Sequence, residues 1–359
     1  MFNVNKNLVG LDIGSSTIKL VELSKDSTGI KILSAGIVNN PTKDWKEKNI
    51  PEAEDAIAES IKDAYKKFNI KDKSVAIALG TSDVIFDYLK FPVLDEKELA
   101  NAVKLEAEQR ISSDINEVSI DYKRLGVKDG NGQENILLVA VPKEITRKKV
   151  NIAEKAGLDP LVMDVEPLAL LNCLITLADD SRKENESIGI LNIGSNITNL
   201  SIISKDNFPI IRNINFGGDK FSKFIVKEAK LSFKEAENLK KEPGKLKDRG
   251  IDVFQMIEKQ TISLINEIMS SMEYTYKITD VSEEDKSKAV TSHHIKKIFL
   301  TGGGGLLPEM DSFLSKNLGI EVVKWNPFEK LQLSGSIDDS LKDSGYLFPI
   351  AIGLGMRTA

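Results

Sequence analysis

The chain has 359 residues, of which 41% are hydrophobic and 29% are charged, a length that predicts two or three domains at roughly 100–200 residues each. Lys plus Arg number 49 and Asp plus Glu number 54, so the net charge of −5 argues against a nucleic-acid binder that relies on a bulk positive field. The single cysteine, Cys173, excludes an intramolecular disulfide and a cysteine-based zinc cluster. We expect it in the core of a protein from a reducing compartment, and the adjacent His293 and His294 on the surface.

Neither a secretion signal nor a membrane-spanning segment is visible in the sequence. The residues before Leu8 include no apolar run. The longest uncharged run, residues 187–204, is about half Ser, Asn, Thr and Gly, whereas a spanning helix needs about 20 mostly apolar residues. We therefore expect a cytoplasmic protein that reaches a membrane only through a partner.

The first predicted element is a hairpin, in which an apolar strand, a Gly-Ser turn and a second strand follow one another over residues 8–23. A similar segment recurs 180 residues later: residues 10–20 read GLDIGSSTIKL and residues 190–200 read ILNIGSNITNL. Either hairpin alone is as typical of ordinary structure as of a ligand site. Two copies half a chain apart indicate a duplicated unit.

Around the hairpins, apolar periodicity predicts alternating helices and strands. In chain order these are helix 53–68, strand 74–79, helix 96–111, strands 119–125 and 135–141, helix 143–156, strand 161–165, helix 167–177, strand 208–215, helices 220–229, 233–241 and 251–278, strand 297–300, helix 308–317, strand 322–323 and helix 348–356. Residues 279–291 are predicted as an exposed loop. The pattern predicts an α/β protein with two related lobes around one cleft.

The hairpin tips have the chemistry of a phosphate site. Small residues at a turn leave backbone N–H groups accessible to phosphate oxygens, and two such tips facing each other hold a polyphosphate from both sides. Asp12 lies just before the first tip, where one carboxylate is enough to begin a magnesium site through bound water. The glycines after Thr301 form a third turn, which lets backbone approach a ligand closely. No segment matches GxxxxGKS or GxxxxGKT, which excludes a Walker-type site.

Five sequence motifs, taken in chain order, resemble those of the actin, heat-shock chaperone and hexokinase ATPase superfamily. They are LVGLDIGSSTIKLVEL at 8–23, the second hairpin, FGGD at 216–219, AENLK at 236–240 and LTGGGG at 300–305. More narrowly, the chain is similar to the PilM family of type IV pilus assembly proteins, relatives of the divisome protein FtsA, in FPVL at 91–94, IDY at 120–122, VPK at 141–143 and AGL at 156–158. The resemblance implies an actin-like two-lobed α/β fold of duplicated ribonuclease-H-like domains, with a small subdomain inserted in the first lobe.

The resemblance also implies domain boundaries. The core of the first lobe would comprise residues 1–74, 160–186 and 345–359, and residues 75–159 would form the inserted, partner-binding subdomain. The core of the second lobe would comprise residues 187–216 and 295–344, with residues 217–294 as its helical subdomain.

A site for ATP and Mg²⁺ is implied by the same resemblance. The tips would hold the β and γ phosphates, with Lys19 as a phosphate contact and Asp12 holding Mg²⁺ through water. Glu166 would orient the attacking water, and Asp164 is the second choice for that role. The 236–241 segment would hold adenosine, and the 302–304 turn would pass under the nucleotide. The implied nucleotide-binding residues are Asp12, Gly14, Ser15, Ser16, Thr17, Lys19, Asn192, Gly194, Ser195, Asn196, Gly217, Gly218, Glu237, Lys240, Lys241, Gly302, Gly303 and Gly304.

Plainer structural interpretations of these residues stay open. Lys19 suits an exposed strand position, and Glu237 with Lys240 suits a solvated ion pair. Glu166 is also consistent with a purely structural acid in the first turn of a helix, where the helix dipole favours negative charge. Asp12 is different, because a carboxylate between apolar neighbours in a core strand needs a cation or hydrogen-bond donors.

The second hairpin departs from the superfamily pattern, which usually has aspartate where this chain has Asn192. An amide accepts a hydrogen bond from metal-bound water, but it carries no negative charge and cannot act as a base. We therefore expect ATP to bind and its hydrolysis to be slow or absent.

The resemblance implies a partner for the inserted subdomain. It would bind the N-terminal cytoplasmic peptide of a PilN-like inner-membrane protein in a groove, and would couple that platform to the pilus motor ATPases. Phe86, Tyr88, Leu89 and Phe91 lie in a strand-like run suited to line such a groove, although half of such a run would be core in any case.

Other functions stay open. The first is a filament-forming ATPase like FtsA or MreB. For this class direct membrane anchoring is disfavoured, because only Arg357, Thr358 and Ala359 follow the final apolar helix. The second is a small-molecule kinase, for which the first lobe offers no clear sugar-binding aspartate. A type II secretion platform is as compatible with the resemblance as a pilus.

Overall fold

The computed structural model describes residues 8–27, 29–42, 50–80, 82, 84–127, 132–178, 186–204, 209–247, 250–278, 294–335, 337 and 339–358. Its strands are β1 Val9–Ile13, β2 Thr17–Asp26, β3 Gly29–Asn39, β4 Ser74–Leu79, β5 Ile85–Pro92, β6 Val118–Val127, β7 Gln133–Pro142, β8 Asp159–Val165, β9 Glu186–Ile193, β10 Thr198–Ser204, β11 Pro209–Ile214, β12 His294–Thr301, β13 Glu321–Lys324 and β14 Gln332–Leu333. Its α-helices are α1 Ile50–Lys67, α2 Glu96–Arg110, α3 Lys143–Lys155, α4 Glu166–Leu177, α5 Gly218–Ala229, α6 Phe233–Lys241, α7 Val253–Ile278, α8 Met310–Leu318, α9 Asp339–Asp343 and α10 Pro349–Gly355. The predicted loop over 279–291 and His293 lie outside the described residues.

Two of the three sheets that the described strands form share one topology. The first has the strand order β14-β3-β2-β1-β4-β8 and the second β11-β10-β9-β12-β13. In each, three consecutive strands form an antiparallel meander, and two later strands add in parallel beside the first strand of the meander. The hairpin registers are also equal, since Asp12 faces Lys19 and Asn192 faces Asn199. The predicted duplication and the two-lobed α/β architecture are confirmed.

Strand β1, which leads to the first hairpin tip, is buried over its whole length. A cluster that includes Leu11 packs on one face beneath α1, and α10 covers the other face. A Cβ on Gly10 would lie 1.8 Å from the Ala351 carbonyl oxygen, and one on Gly353 would lie 1.9 Å from the Ala169 carbonyl oxygen. Glycine permits these approaches, so α10 packs tightly on both β1 and α4 and gives the tip a rigid base.

A hydrophobic cluster joins the two lobes. It contains Leu170 and Cys173 of α4 together with Ile190 and Ile203 of the second sheet. Cys173 is fully buried, as predicted, and its burial raises the pKa of the thiol well above its usual value. None of the described helices is both long and apolar enough to span a bilayer.

The third sheet, with strand order β5-β7-β6, forms a separate unit with α2. Asp95 and Glu98 make a capping box at the start of α2, which satisfies backbone N–H groups there. Leu99, Val103 and Ala107 are buried against the sheet, on the stripe that the sequence predicts.

This inserted unit is narrower than the predicted range 75–159. Strand β4 pairs with β1 in the first sheet, and Ile152 and Ala153 of α3 pack in the same cluster as α1. The segment that forms the third sheet and its helix is 85–142. Strand β14 lies in the predicted second-lobe segment 295–344 but pairs with β3 of the first sheet. Periodicity identifies β4 and α3 but not the two-residue strand β14, and it does not tell which sheet an element joins.

Candidate functional site

A cavity of about 570 Å³ lies between the two lobes, within the roughly 300–1,000 Å³ that small-molecule sites usually occupy. It is bounded by both hairpin tips, the 302–304 turn and the ends of several helices. Of the residues implied for nucleotide binding and catalysis, Asp164 and Gly217 do not line it and all the others do. Those that line it are Asp12, Gly14, Ser15, Ser16, Thr17, Lys19, Glu166, Asn192, Gly194, Ser195, Asn196, Gly218, Glu237, Lys240, Lys241, Gly302, Gly303 and Gly304.

The two hairpin tips have the same local geometry and touch each other. The Gly14 N–H donates to the Thr17 carbonyl at 3.1 Å, and the Gly194 N–H donates to the Ile197 carbonyl at 3.0 Å. The hydroxyl oxygens of Ser15 and Ser195 are 2.6 Å apart and share a hydrogen bond across the cleft. The duplicated tips therefore face one another, as two halves of a single site.

Each tip is braced by a different neighbour. In the first lobe the Asn40 side-chain amide donates to the Gly14 carbonyl at 2.8 Å, and the Asn40 N–H donates to the Ser16 carbonyl at 2.9 Å. In the second lobe, the N–H groups of Gly218 and Asp219 donate to the carbonyls of residues 194 and 195, both at 2.8 Å. The first residues of α5, which belong to the FGGD motif, thus support the second tip from behind.

Asp12 and Lys19 form an ion pair at the base of the first tip. They are cross-strand neighbours, and Lys19 Nζ lies 3.0 Å from Asp12 Oδ2. The Asp12 side chain is only 2% exposed and that of Lys19 13%. Lys19 is therefore not an exposed strand residue, and it provides the cation that the buried carboxylate needs.

The equivalent positions in the second hairpin carry neutral amides. The Asn192 amide donates to Asn199 Oδ1 at 3.4 Å, and Asn199 donates in turn to Asn213 Oδ1 at 3.2 Å. The Thr301 hydroxyl donates to Asn192 Oδ1 at 3.3 Å. These contacts form a hydrogen-bonded chain without formal charge.

In the Glu237 and Lys240 pair the lysine is buried and the glutamate is partly buried, so the pair is not a fully solvated one. Lys240 is 7% exposed. Its ammonium donates to Glu237 Oε1 at 2.6 Å, to the Ser222 hydroxyl at 2.8 Å and to the Gly218 carbonyl at 3.0 Å, and Ser222 donates to the same Glu237 oxygen. This network ties α6 to the start of α5 on the cavity wall.

The third glycine turn passes closely beneath the second hairpin. Gly302 has a φ of +81°, and a Cβ there would lie 2.4 Å from Asn192 Oδ1. The Gly304 N–H donates to the Ile193 carbonyl at 2.9 Å. A Cβ on Gly303, by contrast, would meet nothing within 4 Å, so the turn presents open backbone to the cavity.

The two predicted catalytic acids lie in different environments. Glu166 is the first residue of α4 and lines the cavity. Asp164 is held outside the cavity lining, where its Oδ2 accepts from Arg357 Nε at 2.7 Å and its Oδ1 accepts from the Val165 N–H at 2.8 Å. The structure thus brings Glu166, but not Asp164, to the site.

Sequence reasoning missed several residues of the cavity wall. Lys149 of α3 is 4% exposed, and its ammonium donates to the Ile13 carbonyl at 2.9 Å across 136 residues of sequence. Asn40 was missed as well. Nothing in the sequence separates either residue from an ordinary surface polar residue. The other cavity residues missed are Ile13, Gly80, Ser82, Ile145, Ile197, Asn199, Asn215, Asp219, Leu307, Leu347, Pro349 and Ile350.

The four residues predicted to line a partner groove do not share one open surface. Phe86 and Tyr88 point toward the clusters of the two lobes, and the Tyr88 hydroxyl donates to the Pro209 carbonyl at 3.0 Å. Leu89 is 1% exposed and Phe91 packs beside it under α2. The interpretation of this run as one groove wall is therefore corrected, because adjacent strand residues face opposite sides of the sheet.

The duplicated lobes, with equivalent tips meeting over one cavity, define an actin-like two-lobed protein. A profile of the family described as "Type IV pilus assembly protein PilM" matches residues 10–359, so the chain belongs to that family.

Solved structures and curated relatives agree with this assignment. The chain is 26% identical to one in the "PilM-PilN type IV pilus biogenesis complex", with a TM-score of 0.82 and 99% of each chain covered. It is 22% identical over 353 residues to the cell division protein FtsA of Streptococcus pneumoniae serotype 2 strain D39, covering 89% of this chain and 75% of that protein. The ethanolamine utilization protein EutJ of Carboxydothermus hydrogenoformans is 14% identical with a TM-score of 0.52, covers 98% of this chain and 89% of its own, and shares the fold.

Proposed function

We propose that this protein is a cytoplasmic, ATP-binding scaffold of type IV pilus assembly. The proposal that the protein binds ATP rests on the pair of equivalent hairpin tips, whose serines Ser15 and Ser195 meet over a cavity of suitable size. Membership of the PilM family supports the pilus part. The proposed scaffold is peripheral to the inner membrane through its partners.

The residues around the cavity suit a nucleotide. Backbone at Gly303 is open to the cavity, as close approach of a nucleotide requires, and both tips offer N–H groups to phosphate oxygens. Asp12 would hold Mg²⁺ through water, and the Glu237 and Lys240 network would hold the adenosine part. Bound Mg·ATP supplies the polyphosphate charge and the metal ion, and this chain contributes backbone donors and buried side chains that orient them.

Calorimetric titration with Mg·ATP tests the proposed site. In a Gly303→Val variant the new side chain would occupy the open space beside the turn, so we expect roughly tenfold weaker binding or more. Gly335→Val is the matched control, since a Cβ at that exposed glycine also meets nothing within 4 Å and Gly335 does not line the cavity. Failure of the wild-type protein to bind ATP, or equal binding by Gly303→Val, would contradict the site.

Slow or absent hydrolysis is part of the proposal. The neutral chain of Asn192, Asn199 and Thr301 provides no carboxylate at the base of the second hairpin, and we propose Glu166 as the acid that orients water. Phosphate release by the purified protein should be near the buffer background. Vigorous turnover that is lost in Glu166→Ala would overturn this part.

The partner we propose is the N-terminal cytoplasmic peptide of a PilN-like inner-membrane protein. The support is the similarity, over 99% of the chain, to a protein solved in the PilM-PilN complex. Fluorescence anisotropy with a labelled peptide of this kind should show saturable binding, and a scrambled peptide should not bind. We further propose that the platform couples to pilus motor ATPases, for which co-purification with the motor from a pilus-forming strain is the test.

An FtsA-like filament former is the second candidate, because FtsA relatives match 89% of the chain. Sedimentation with Mg·ATP separates the two functions. A scaffold of discrete complexes stays in the supernatant, whereas a filament former pellets in a nucleotide-dependent way.

A further inference from the structure

Helix α3 brings a buried lysine to the first hairpin tip. Lys149 is 4% exposed, and its ammonium donates to the carbonyl of Ile13, the residue immediately before the tip, at 2.9 Å. Lys149 and Ile145 both line the cavity. Because residues four apart lie on one helical face, α3 presents this face to the site.

The other first-lobe lysine of the cavity is committed elsewhere. Lys19 Nζ lies 3.0 Å from the Asp12 carboxylate, which is almost completely buried. A buried carboxylate that loses its cation is strongly destabilised. The charge of Lys19 is therefore balanced within the protein by the carboxylate beside it.

We infer that Lys149 supplies positive charge that the first lobe directs at the phosphates of a bound nucleotide. This inference rests on the proposed nucleotide function. An ammonium carries three N–H donors, so one group can hold the Ile13 carbonyl and phosphate oxygens together. Its burial in a cavity wall strengthens the attraction, because fewer water molecules screen the charge.

The charge and the hydrogen bond of Lys149 are separable by substitution. Lys149→Met removes both and keeps much of the length of the side chain. Lys149→Gln removes the charge but keeps an N–H donor for the Ile13 carbonyl. Lys148→Met is the matched control, because Lys148 lies on the same helix, pairs with Glu144 and does not line the cavity.

Titration of each variant with ATP, ADP, AMP and adenosine shows directly whether Lys149 acts on the phosphates of the ligand. We expect both Lys149 variants to bind ATP and ADP roughly tenfold more weakly or worse, with adenosine binding unchanged. Lys148→Met should match the wild type for all four ligands. Thermal unfolding of each variant confirms that folded protein is compared.

The outcomes separate this inference from the function on which it rests. ATP binding by Lys149→Gln at the wild-type affinity overturns the inference and leaves the proposed function intact. An equal loss for ATP and adenosine also overturns it, since that result assigns Lys149 to support of the tip alone. A wild-type protein that binds none of the phosphorylated ligands overturns the proposed function and the inference with it.

Discussion

The two hairpins that meet over the cavity share their register and tip geometry, yet they differ in charge at the base. The first holds Asp12 and Lys19 as a buried ion pair, and the second holds Asn192 and Asn199 as hydrogen-bonded amides at the equivalent positions. Duplication has therefore preserved the backbone that faces a ligand but not the electrostatics behind it. The comparison indicates one charged and one neutral half in a single site.

The two tips also differ in the groups that support them. Asn40 alone donates to two residues of the first tip, Gly14 and Ser16. The second tip is held by backbone N–H groups at the start of α5 and lies against the 302–304 turn. The backbone of the second tip is thus held mainly by other backbone, which makes glycine substitutions there costly.

The largest expected effect comes from joining the tips covalently. Ser15→Cys with Ser195→Cys places two thiols where the hydroxyl oxygens are 2.6 Å apart, close enough for a disulfide after small adjustment. The oxidised variant should bind no detectable ATP, and reduction should restore binding. Cys173 is fully buried and does not compete. Full affinity in the oxidised form would show that ATP does not enter between the tips.

A matched pair of substitutions compares the equivalent positions at the base of the two hairpins. Lys19→Met leaves the buried Asp12 carboxylate without its cation and should lower the free energy of unfolding by about 3–5 kcal/mol. Asn199→Met removes amide hydrogen bonds at the equivalent position and should cost only about 1–3 kcal/mol. Urea denaturation measures both. Equal losses would remove the proposed distinction between a charged and a neutral half.

The 302–304 turn offers a test within the second lobe. Gly302→Ala forces a side chain into a backbone with a φ of +81° and against Asn192, so we expect a loss of about 1–3 kcal/mol in unfolding free energy. Gly303→Ala, whose Cβ meets nothing within 4 Å, should stay within about 0.5 kcal/mol of the wild type. A stable Gly302→Ala protein would mean that the turn does not constrain the second tip.

The smallest expected effect is catalytic. Asn192→Asp restores a carboxylate at the base of the second tip and should raise ATP hydrolysis by roughly fivefold, which corresponds to about 1 kcal/mol in the barrier. A phosphate-release assay measures it, with Asn213→Asp as a control for added charge on the neighbouring strand β11. No increase, or the same increase in the control, would show that Asn192 is not what keeps hydrolysis slow.

The elements of this fold that depend on local pattern were predictable from sequence. The repeat at an offset of 180 residues identified both hairpins, and glycine spacing identified the third turn. Contacts between distant segments were not predictable. Lys149 contacts Ile13 across 136 residues, and Tyr88 contacts Pro209 across 121. The periodicity of a sequence does not indicate which distant side chains the fold brings together.

The errors of the sequence interpretation have the same origin. Strand β4 was predicted from its composition and β14 was not predicted as a strand. The pairing of β4 with β1, and of β14 with β3, depends on the whole sheet. Alternation in β5 predicted that half of its residues are core, but only the structure shows that Leu89 is among them. Polar residues were hardest, because burial distinguishes Lys149 from Lys148 and sequence does not.

The proposal that the two tips form one nucleotide site is tested best by a structure of crystals grown with Mg·ATP. We predict intact nucleotide with its phosphates between residues 14–17 and 194–196, the hydrogen bond between Ser15 and Ser195 broken, and the Asp12 and Lys19 pair preserved. Nucleotide bound elsewhere, or tips still joined through the two serines, would contradict it.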